Sequence, residues 1–528
     1  MTGSENKTIS GINRRGLLKG AALLGAGLAT SGIWLPGTTW AAAAKKGGTL
    51  KAGISHGATT DSTVPGTYSH GFAILLSYTV HGKLTVVGPD NKLQGDLAES
   101  WEAAEGAKQW TFKLRDAEFH NGQKVKPADV IASINFHRGD KSSSAAKSTV
   151  GNIKDIKADG DDTVIFVLEN GDADFPYILT DYQLAIGNAD ADGKIDWEDD
   201  GRRAGPYRLT HFEPGVRSVF EKADNYWNPN VGHVTAAEVL NISDPTARQN
   251  ALLSGAVDVI DRPDLRTLPM LQRAPNLTVE EAPGFRFHGF TAWTDTAPFD
   301  NNDFRLALKY GIDRDALLDV ALQGHGILGN DHPITPSYRY YNDSIPQRSY
   351  DPDKAKFHLN KSGVGSLTLD LSTSVAAYAA AVDAAALYQS NLAPVGININ
   401  IINEPADSYW SNVWLKKPFM ANDWGGRPTE DQIFSVAFKS GAPWNDTHLN
   451  NERFEKLLVE ARAELDEARR KELYGEIQQI VHDEGGSITP IIPNNVWAFN
   501  KRIAHDENIS RAWELDGWQF INRWWVNA

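Results

Sequence analysis

Cysteine is missing from the 528-residue sequence. Disulfide bonds, iron–sulfur clusters, zinc sites with thiolate ligands and catalytic thiols are therefore excluded. Positively charged residues are fewer than negatively charged ones, because the sequence has 52 Lys and Arg but 67 Asp and Glu. The net charge is −15. This balance disfavours a nucleic-acid partner, which would require a basic surface.

Long apolar runs and catalytic motifs are missing as well. Beyond the N-terminus, no run approaches the roughly 20 apolar residues that a membrane-spanning helix needs. The sequence has no HExxH or Walker A motif, and its 14 His form no HxH, HxxH or HxxxH pair. We therefore expect a protein that is not an enzyme and that needs neither a cofactor nor a metal.

The N-terminus has the pattern of an export signal. Residues 13–19 read NRRGLLK, a short Ala-, Gly- and Leu-rich stretch follows, and small residues stand near Ala41–Ala44. A basic region, a short apolar region and a cleavage site with small residues are typical of a signal peptide. The pair Arg14-Arg15 favours the Tat route. A buried helix or a retained anchor is the alternative. We expect cleavage of residues 1–43 and a soluble periplasmic protein.

Strand patterns alternate with helix patterns along the rest of the chain. Alternating apolar residues predict strands, whereas apolar residues at helical spacing with Pro or Asp near the first turn predict helices. This order favours an α/β fold. Strands are predicted at 47–55, 109–119, 257–260, 367–373 and 396–402, and helices at 126–138, 244–254, 302–326 (two helices), 375–392, 451–465 and 466–484.

An ordered series of motifs resembles one family. On these motifs the chain is identified as a member of extracellular solute-binding protein family 5, the oligopeptide-, dipeptide- and nickel-binding proteins that feed ABC importers. The resemblance covers essentially the whole mature chain. Its segments are GDLAESWEAA (95–104), the strand and helix at 110–138, AGPYRL (204–209), ADNYW (223–227), ARQNALLSGAVDVID (247–261), APFDNNDFRLALKYGIDRDALL (297–318) and WGGRPTEDQIF (424–434).

The resemblance implies a two-lobed periplasmic-binding-protein-like fold that encloses its ligand by hinge closure. Domains I and II would form one lobe and domain III the other, with a hinge near residues 283 and 497. The implied partners are a small-molecule ligand, ABC permease subunits at the inner membrane and the Tat translocase during export, and we expect a monomer. The predicted bounds are 45–84, 205–283 and 498–528 for domain I, 85–204 for domain II and 284–497 for domain III.

The loop that begins at Trp424 departs from the family pattern. In peptide-binding relatives the matching loop carries an Asp that pairs with the α-ammonium group of the peptide, and this chain has Arg427 at that position. An Arg cannot accept the donors of an ammonium group, but it suits a carboxylate, a phosphate or sugar hydroxyls. We expect Arg427 to contact an anionic or polyhydroxylated ligand, or else to pair with Glu430 or Asp431 and shape the loop.

Aromatic residues supply the other candidate ligand contacts. Flat aromatic faces suit sugars, opine-like amino-acid conjugates and quaternary amines, although most of the 16 Trp are expected in the core. Trp101, Trp110 and Phe112 are read as core residues. The candidates, in order of preference, are Trp424 and Trp293 beside Arg427, then Tyr409 and Trp444, then Tyr68 and His70.

The sequence is consistent with three functions and contains one possible metal site. The first function is capture of a peptide, an opine-like conjugate or an oligosaccharide for an ABC importer. A ligand-binding sensor or chaperone module without transport is the second, and a cofactor-dependent periplasmic enzyme is the third. The stretch NADADGKIDWED (188–199) matches several ligand positions of a calcium loop, but no helix is predicted beside it. We expect a solvated hairpin turn there instead.

Overall fold

The computed structural model describes residues 44–511 and 513–527, apart from the side chain of Asp407. The predicted signal peptide at 1–43 lies outside the described residues, so its cleavage and its export route stay predictions. None of the helices in the described chain has the length and apolar character needed to cross a membrane.

Strands run from the start to the end of the described chain. They are β1 (Thr49–Ile54), β2 (Thr85–Val87), β3 (Leu93–Gly95), β4 (Ala98–Ala103), β5 (Gln109–Leu114), β6 (Ile153–Asp159), β7 (Thr163–Leu168), β8 (Tyr207–Glu213), β9 (Arg217–Lys222), β10 (Ala236–Asn241), β11 (Val259–Asp261), β12 (Leu277–Pro283), β13 (Phe287–Ala292), β14 (Gly326–Leu328), β15 (Leu367–Thr373), β16 (Ile397–Asn403), β17 (Phe419–Trp424), β18 (Ser487–Asn500), β19 (Ile503–Ala504) and β20 (Trp525–Val526).

Helices alternate with these strands, as expected for an α/β fold. They are α1 (Gly71–Val80), α2 (Pro127–Phe136), α3 (Phe175–Ile178), α4 (Pro245–Leu253), α5 (Leu268–Arg273), α6 (Asn302–Tyr310), α7 (Arg314–Leu322), α8 (Pro352–Ser362), α9 (Ala381–Leu392), α10 (Tyr409–Asn412), α11 (Glu430–Ala437), α12 (Glu452–Ala463), α13 (Glu467–Glu484), α14 (Glu514–Trp518, a left-handed turn) and α15 (Phe520–Arg523).

Local sequence signals place many of these helices. The side chain of Asp244 caps α4 by accepting from Ala247 N at 2.7 Å, and Asp313 caps α7 in the same way through Ala316 N at 3.0 Å. The Ala-rich helix is shorter than predicted. Its first residues form a turn because Ala377 N donates to the carbonyl of Ser374, so α9 begins only at Ala381.

One long strand, β18, connects two regions of the large sheet. Its first half pairs with β13 and β14, and its second half pairs with β11 and β12. The sheet order through this point is β16-β15-β17-β13-β18-β11-β1-β10-β9-β8. A separate four-stranded sheet has the order β4-β5-β7-β6.

The apolar cores divide the chain into two sets of residues. Three clusters draw only on residues 44–283 and 494–527, which we call lobe A. Two clusters draw only on residues 284–493, which we call lobe B. Trp110 and Phe112 are buried in a lobe A cluster as predicted, with Trp101 packed against it. The two-lobed fold agrees with the expected class, while the finer division of lobe A into domains I and II stays a prediction.

Candidate functional site

The candidate site lies where strand ends of both lobes meet the crossover between them. In lobe A, β1 runs parallel to β10 and β11, and His56 and Arg262 follow the carboxyl ends of β1 and β11. Ligands of α/β sheets bind at such edges. In lobe B, Phe287 of β13 pairs with Trp424 of β17, so the start of β13 and the end of β17 share one edge. We call the space between these edges the cleft.

An ion-paired group of lobe A stands at this edge. Arg262 Nε donates to Glu514 Oε1, and Arg262 Nη1 lies 2.6 Å from His56 Nε2. Burial alone would raise the pKa of Glu514, but the guanidinium of Arg262 outweighs it and holds that pKa below its usual range. Burial, together with Arg262, lowers the pKa of His56 to about 4, so this imidazole is neutral at pH 7. The Arg262 side chain itself stays 40 % exposed.

A matching ion-paired group of lobe B stands at the opposite edge. Arg286 binds Asp423 through two hydrogen bonds, Nε to Oδ1 at 2.8 Å and Nη2 to Oδ2 at 2.5 Å. His288 Nδ1 lies 3.0 Å from Asp423 Oδ1, and its ring stacks on Tyr378 with centroids 4.5 Å apart. Burial would raise the pKa of Asp423, but the hydrogen bonds from Arg286 and the nearby imidazole of His288 hold it well below its usual range.

The two groups influence each other across the cleft. Burial lowers the pKa of Arg286, but the nearby Asp423 and then Glu514 of lobe A raise it above its ordinary value. Burial likewise raises the pKa of Asp181 in lobe A to about 6, and Arg427 of lobe B is among the charges that oppose this rise. The cleft is therefore lined by charges of both signs, contributed by both lobes.

The guanidinium group of Arg427 donates to backbone carbonyls of its own loop. Its Nη1 donates to the carbonyls of Gly425 and Gly426, each at 3.1 Å, and its backbone N–H donates to Tyr338 Oη at 3.2 Å. It forms no ion pair with any described residue. A Cβ at Gly426 would lie 1.9 Å from the Cβ of Phe285, so only glycine allows this close approach of the loop.

Arg427 forms no ion pair with Glu430 or Asp431, the two acids of its own loop. Glu430 accepts from the backbone N–H of Tyr340 at 2.5 Å. Asp431 binds Arg462, with Nε donating to Oδ1 at 2.9 Å. Both acids are buried and occupied, so the guanidinium of Arg427 remains available to a ligand.

Trp424 belongs to an aromatic group around a buried carboxylate. Asp446 Oδ2 accepts from Trp424 Nε1 at 3.0 Å and from Trp414 Nε1 at 3.2 Å. Burial raises the pKa of Asp446 to about 6, although these hydrogen bonds oppose the shift. Trp444 packs against Trp414 and Trp424 with centroids 5.8 and 6.4 Å apart and stays 45 % exposed. Trp424 is thus largely buried, whereas Trp444 offers an open face.

The two other aromatic candidates of lobe B differ from each other. Trp293 is half-buried and stacks on His448 with centroids 4.1 Å apart, and its buried Nε1 has no partner in the described chain. Tyr409 is fully buried, and its hydroxyl donates to Ala421 O at 2.6 Å. The burial of Tyr409 favours a packing role in the core of lobe B over contact with a ligand.

The candidates of lobe A also take part in local structure. Tyr68 is buried, and its hydroxyl donates to Thr63 O at 2.8 Å and lies 3.2 Å from His81 Nε2. His70 precedes α1, and its Nε2 lies 2.7 Å from Asp61 Oδ1. These contacts favour a structural role for Tyr68, while the half-buried His70 remains a candidate.

A second contact between the lobes is a polar seam around Asp174. This carboxylate of lobe A binds two cations of lobe B, Arg339 Nη2 at 2.5 Å and Arg470 Nη2 at 2.6 Å. Burial would raise its pKa, but both guanidinium groups hold it below the usual range. The neighbouring Ala173 N–H donates to Arg462 O at 2.7 Å. Asp174 and Arg470 are each 2 % exposed, so the pair is shielded from water.

Several cleft residues were not among the sequence candidates. Arg262 lies two residues after the strand predicted at 257–260, and Asp423 directly precedes Trp424, so their positions at strand ends could have marked them. Arg286 and Glu514 carried no such signal, because only the fold brings the β12–β13 connection of lobe B and the C-terminal turn of lobe A to the two sides of the cleft.

Residues 190–194 form a turn within the stretch 188–199. Asp190 Oδ1 accepts from the backbone N–H groups of Asp192 and Lys194, each at 2.9 Å, and Gly193 takes a left-handed φ of 74°. The described residues contain no group of three or more His, Asp or Glu arranged to hold a metal ion.

Calcium should therefore leave the melting temperature unchanged. The carboxylate of Asp190 is already engaged by backbone donors, and a loop without convergent oxygen ligands binds calcium weakly. Differential scanning calorimetry in calcium chloride and in excess chelator checks this, with magnesium chloride at equal ionic strength as control. A melting temperature that rises with calcium alone would contradict the turn assignment.

Comparison with known proteins identifies the family. The family model of bacterial extracellular solute-binding proteins, family 5 Middle, matches residues 92–446 of the 528. The dipeptide-binding protein of Escherichia coli K12 is 26% identical over 434 residues, which cover 74% of this chain and 79% of that protein.

Solved structures share the fold along nearly the whole chain. The structure of HbpA2 from Haemophilus parasuis has a TM-score of 0.79 at 20% identity and covers 89% of this chain and 99% of its own. The PBP AgaA from A. tumefaciens R10, solved with agropinic acid, has a TM-score of 0.70 at 23% identity and covers 91% and 99%. With a family model that spans more than half of its length, the chain belongs to the bacterial extracellular solute-binding proteins of family 5.

Proposed function

We propose that this chain is the periplasmic solute-binding component of an ABC importer and that it captures a small organic anion between its lobes. Membership of family 5 and the two-lobed fold support this function. Export through the Tat route, permease subunits as partners and a monomeric state belong to the same proposal. The protein contributes affinity and lobe closure, and it catalyses no reaction.

The guanidinium of Arg427 is the single observation that carries the choice of an anionic ligand. It is half-buried in the cleft and lacks an acidic partner among the described residues. A buried or half-buried charge is costly until an opposite charge meets it. At short range this group would repel the ammonium group of a peptide by about 4 kcal/mol at intermediate dielectric, and it would bind a carboxylate through two parallel hydrogen bonds.

The aromatic surroundings narrow the ligand class further. Trp444 exposes a face beside Trp424, at the end of the strand that leads to Arg427. Such faces accept flat or sugar-like groups. An opine-like conjugate or an acidic amino-acid conjugate offers both a carboxylate and an extended body, and an oligosaccharide with an acidic group would fit the same features.

Replacing Arg427 by Gln should weaken binding of anionic ligands by about 10- to 100-fold, because one charge-assisted contact contributes about 1.5–3 kcal/mol. The test uses mature protein that is unfolded and refolded to remove carried ligand. A thermal-shift panel of acidic conjugates, their amides, dipeptides and oligosaccharides comes first, and calorimetric titration of each compound that responds follows. A compound at about 100 times its dissociation constant adds about 2.7 kcal/mol of stability.

The matched control is Arg469→Gln, an exposed arginine that pairs with Glu460 on the surface of lobe B. This variant should bind every compound like the native protein. Tight binding of ordinary dipeptides that is equal in native protein and in Arg427→Gln would contradict the anionic ligand and leave the family assignment intact.

A further inference from the structure

The C-terminal turn of the protein has an unusual backbone. Leu515, Asp516, Gly517 and Trp518 are consecutive and have φ values of 50°, 59°, 65° and 63°. Three of the four are not glycine, and each such residue costs about 1–2 kcal/mol in the left-handed region. Strain of this kind persists only where the surrounding structure enforces it, and it concentrates at ligand-binding sites.

Packing and hydrogen bonds hold this turn in place. Asp516 Oδ1 accepts from Ser510 N at 2.6 Å and from Arg523 Nη1 at 2.9 Å. Trp518 is buried against Gly71, where an added Cβ would lie 2.5 Å from its Cζ2 atom. Its ring also meets the edge of His56, with centroids 6.2 Å apart. The turn is therefore fixed against the lobe A edge of the cleft.

The fixed turn places Glu514 beside Arg262. Arg262 has a left-handed backbone of its own, with φ of 39°, and its N–H donates to Val496 O in β18 at 3.0 Å. Two strained segments thus converge on one ion pair. The Glu514 side chain is almost fully buried, whereas the Arg262 side chain is 40 % exposed, so the arginine is the member of the pair that a ligand can reach.

The remaining donor capacity of Arg262 points to an anion. Nε is occupied by Glu514 and Nη1 by His56, while Nη2 has no partner among residues 44–511 and 513–527. Acceptors at both Nε and Nη1 fix the orientation of the planar guanidinium, and this reduces the entropy lost when a carboxylate binds at Nη2.

We propose that Arg262 is a second ligand-binding guanidinium, oriented by Glu514 and His56, and that the ligand carries two separated acidic groups, one for Arg262 and one for Arg427. This inference rests on the proposed function. The two arginines belong to different lobes, so a two-acid ligand bridges them and favours closure. A ligand with one acidic group contacts one lobe strongly and closes the cleft less well.

The test measures how the protein distinguishes two acids from one. N-acetylglutamate and N-acetylglutamine are matched in size and differ by one carboxylate. Native protein should prefer the diacid. Arg262→Gln should weaken diacid binding by about 10- to 100-fold and leave the monoacid within about threefold, because only one of the two charge-assisted contacts is lost.

Two further variants separate a binding role from a structural one. Arg262→Lys keeps the charge without the planar fork and should show an intermediate preference. Glu514→Gln leaves Arg262 in place but loosens its orientation, so the preference for the diacid should fall while the melting temperature stays close to native. If Arg262→Gln does not fold, these two variants decide the question.

The outcomes also separate this inference from the proposed function. An equal loss for both compounds in Arg262→Gln would assign Arg262 a structural role and overturn the inference. A loss of preference in Arg286→Gln but not in Arg262→Gln would overturn it as well. Acidic conjugates that bind and require Arg427, together with a native preference for the diacid in Arg262→Gln, would contradict only the inference. If no acidic conjugate binds the native protein, both the inference and the proposed function fail.

Discussion

Asp174→Asn should destabilise the protein by about 3–5 kcal/mol. Removing one member of a buried ion pair leaves the other charge without compensation, and that loss is far larger than the net value of the pair. Here the substitution leaves Arg470, which is 2 % exposed, without its buried counter-charge. It also removes the ion pair with Arg339. Urea unfolding followed by tryptophan fluorescence would report the change, since the 16 Trp occur along most of the chain.

A surface ion pair provides the control for Asp174. Arg453 binds Glu476 through two hydrogen bonds of 2.8 Å, and both side chains are about half exposed. Glu476→Gln should cost less than about 1 kcal/mol, because exposed pairs are well solvated. Similar losses in the two variants would show that the polar seam at Asp174 is hydrated and contributes little to the contact between the lobes.

Asp331→Asn should be equally damaging, in the interior of lobe B. This fully buried carboxylate binds Arg314 Nη2 through both of its oxygens, at 2.8 and 2.9 Å, and it binds Arg348 Nη1 at 2.5 Å. Lys309 is also fully buried in the same region, and its Nζ donates to His482 O at 2.8 Å. Without the acid the guanidinium groups of Arg314 and Arg348 have no buried counter-charge, so we expect a loss of about 3–5 kcal/mol.

The loss of stability caused by Asp331→Asn should become smaller as the pH falls. Burial would raise its pKa, but Arg314 and Arg348 hold it well below its usual range. The carboxylate therefore contributes stability above its unfolded pKa of about 4, and this contribution falls as acid protonates it. The difference between native and variant protein should be largest near pH 7 and should shrink below about pH 4.

Asp343 is a suitable control for Asp331, because it is exposed on the same lobe and forms no ion pair with a described residue. Asp343→Asn should change the free energy of unfolding by no more than about 0.5 kcal/mol at any pH. A native-minus-variant difference for Asp331 that stays constant between pH 7 and pH 3 would contradict the ion-pair account.

Much of the fold could be predicted because local signals and motif order agree. The Pro-started helices, the Asp caps at 244 and 313, and the alternating strands at 109–114 and 367–373 are each determined by neighbouring residues. β18 could not be predicted in the same way. Its partners lie in four separate strands, and nothing within Ser487–Asn500 tells which half of the strand belongs to which lobe.

The candidate site was only partly predictable for a similar reason. Arg427 could be proposed from the sequence because a single loop carries a recognisable departure in charge. Tyr409 was chosen for its residue type, and the fold instead buries it with its hydroxyl bound to Ala421 O. Glu514 was missed because its importance arises from contact with Arg262, 252 positions earlier in the chain. Residue type indicates what a side chain can bind, but only tertiary structure brings two such residues together.

The central position of β18 also constrains how the chain can acquire its structure during synthesis. The strand lies between β13 and β11, and residues 487–500 leave the ribosome after almost everything else. Until then the large sheet is split, and the facing edges of β11 and β13 lack their hydrogen-bond partner. Neither lobe can reach its native sheet early, so both should mature together after translation, and a nascent chain stalled before residue 487 should remain sensitive to protease in both lobes.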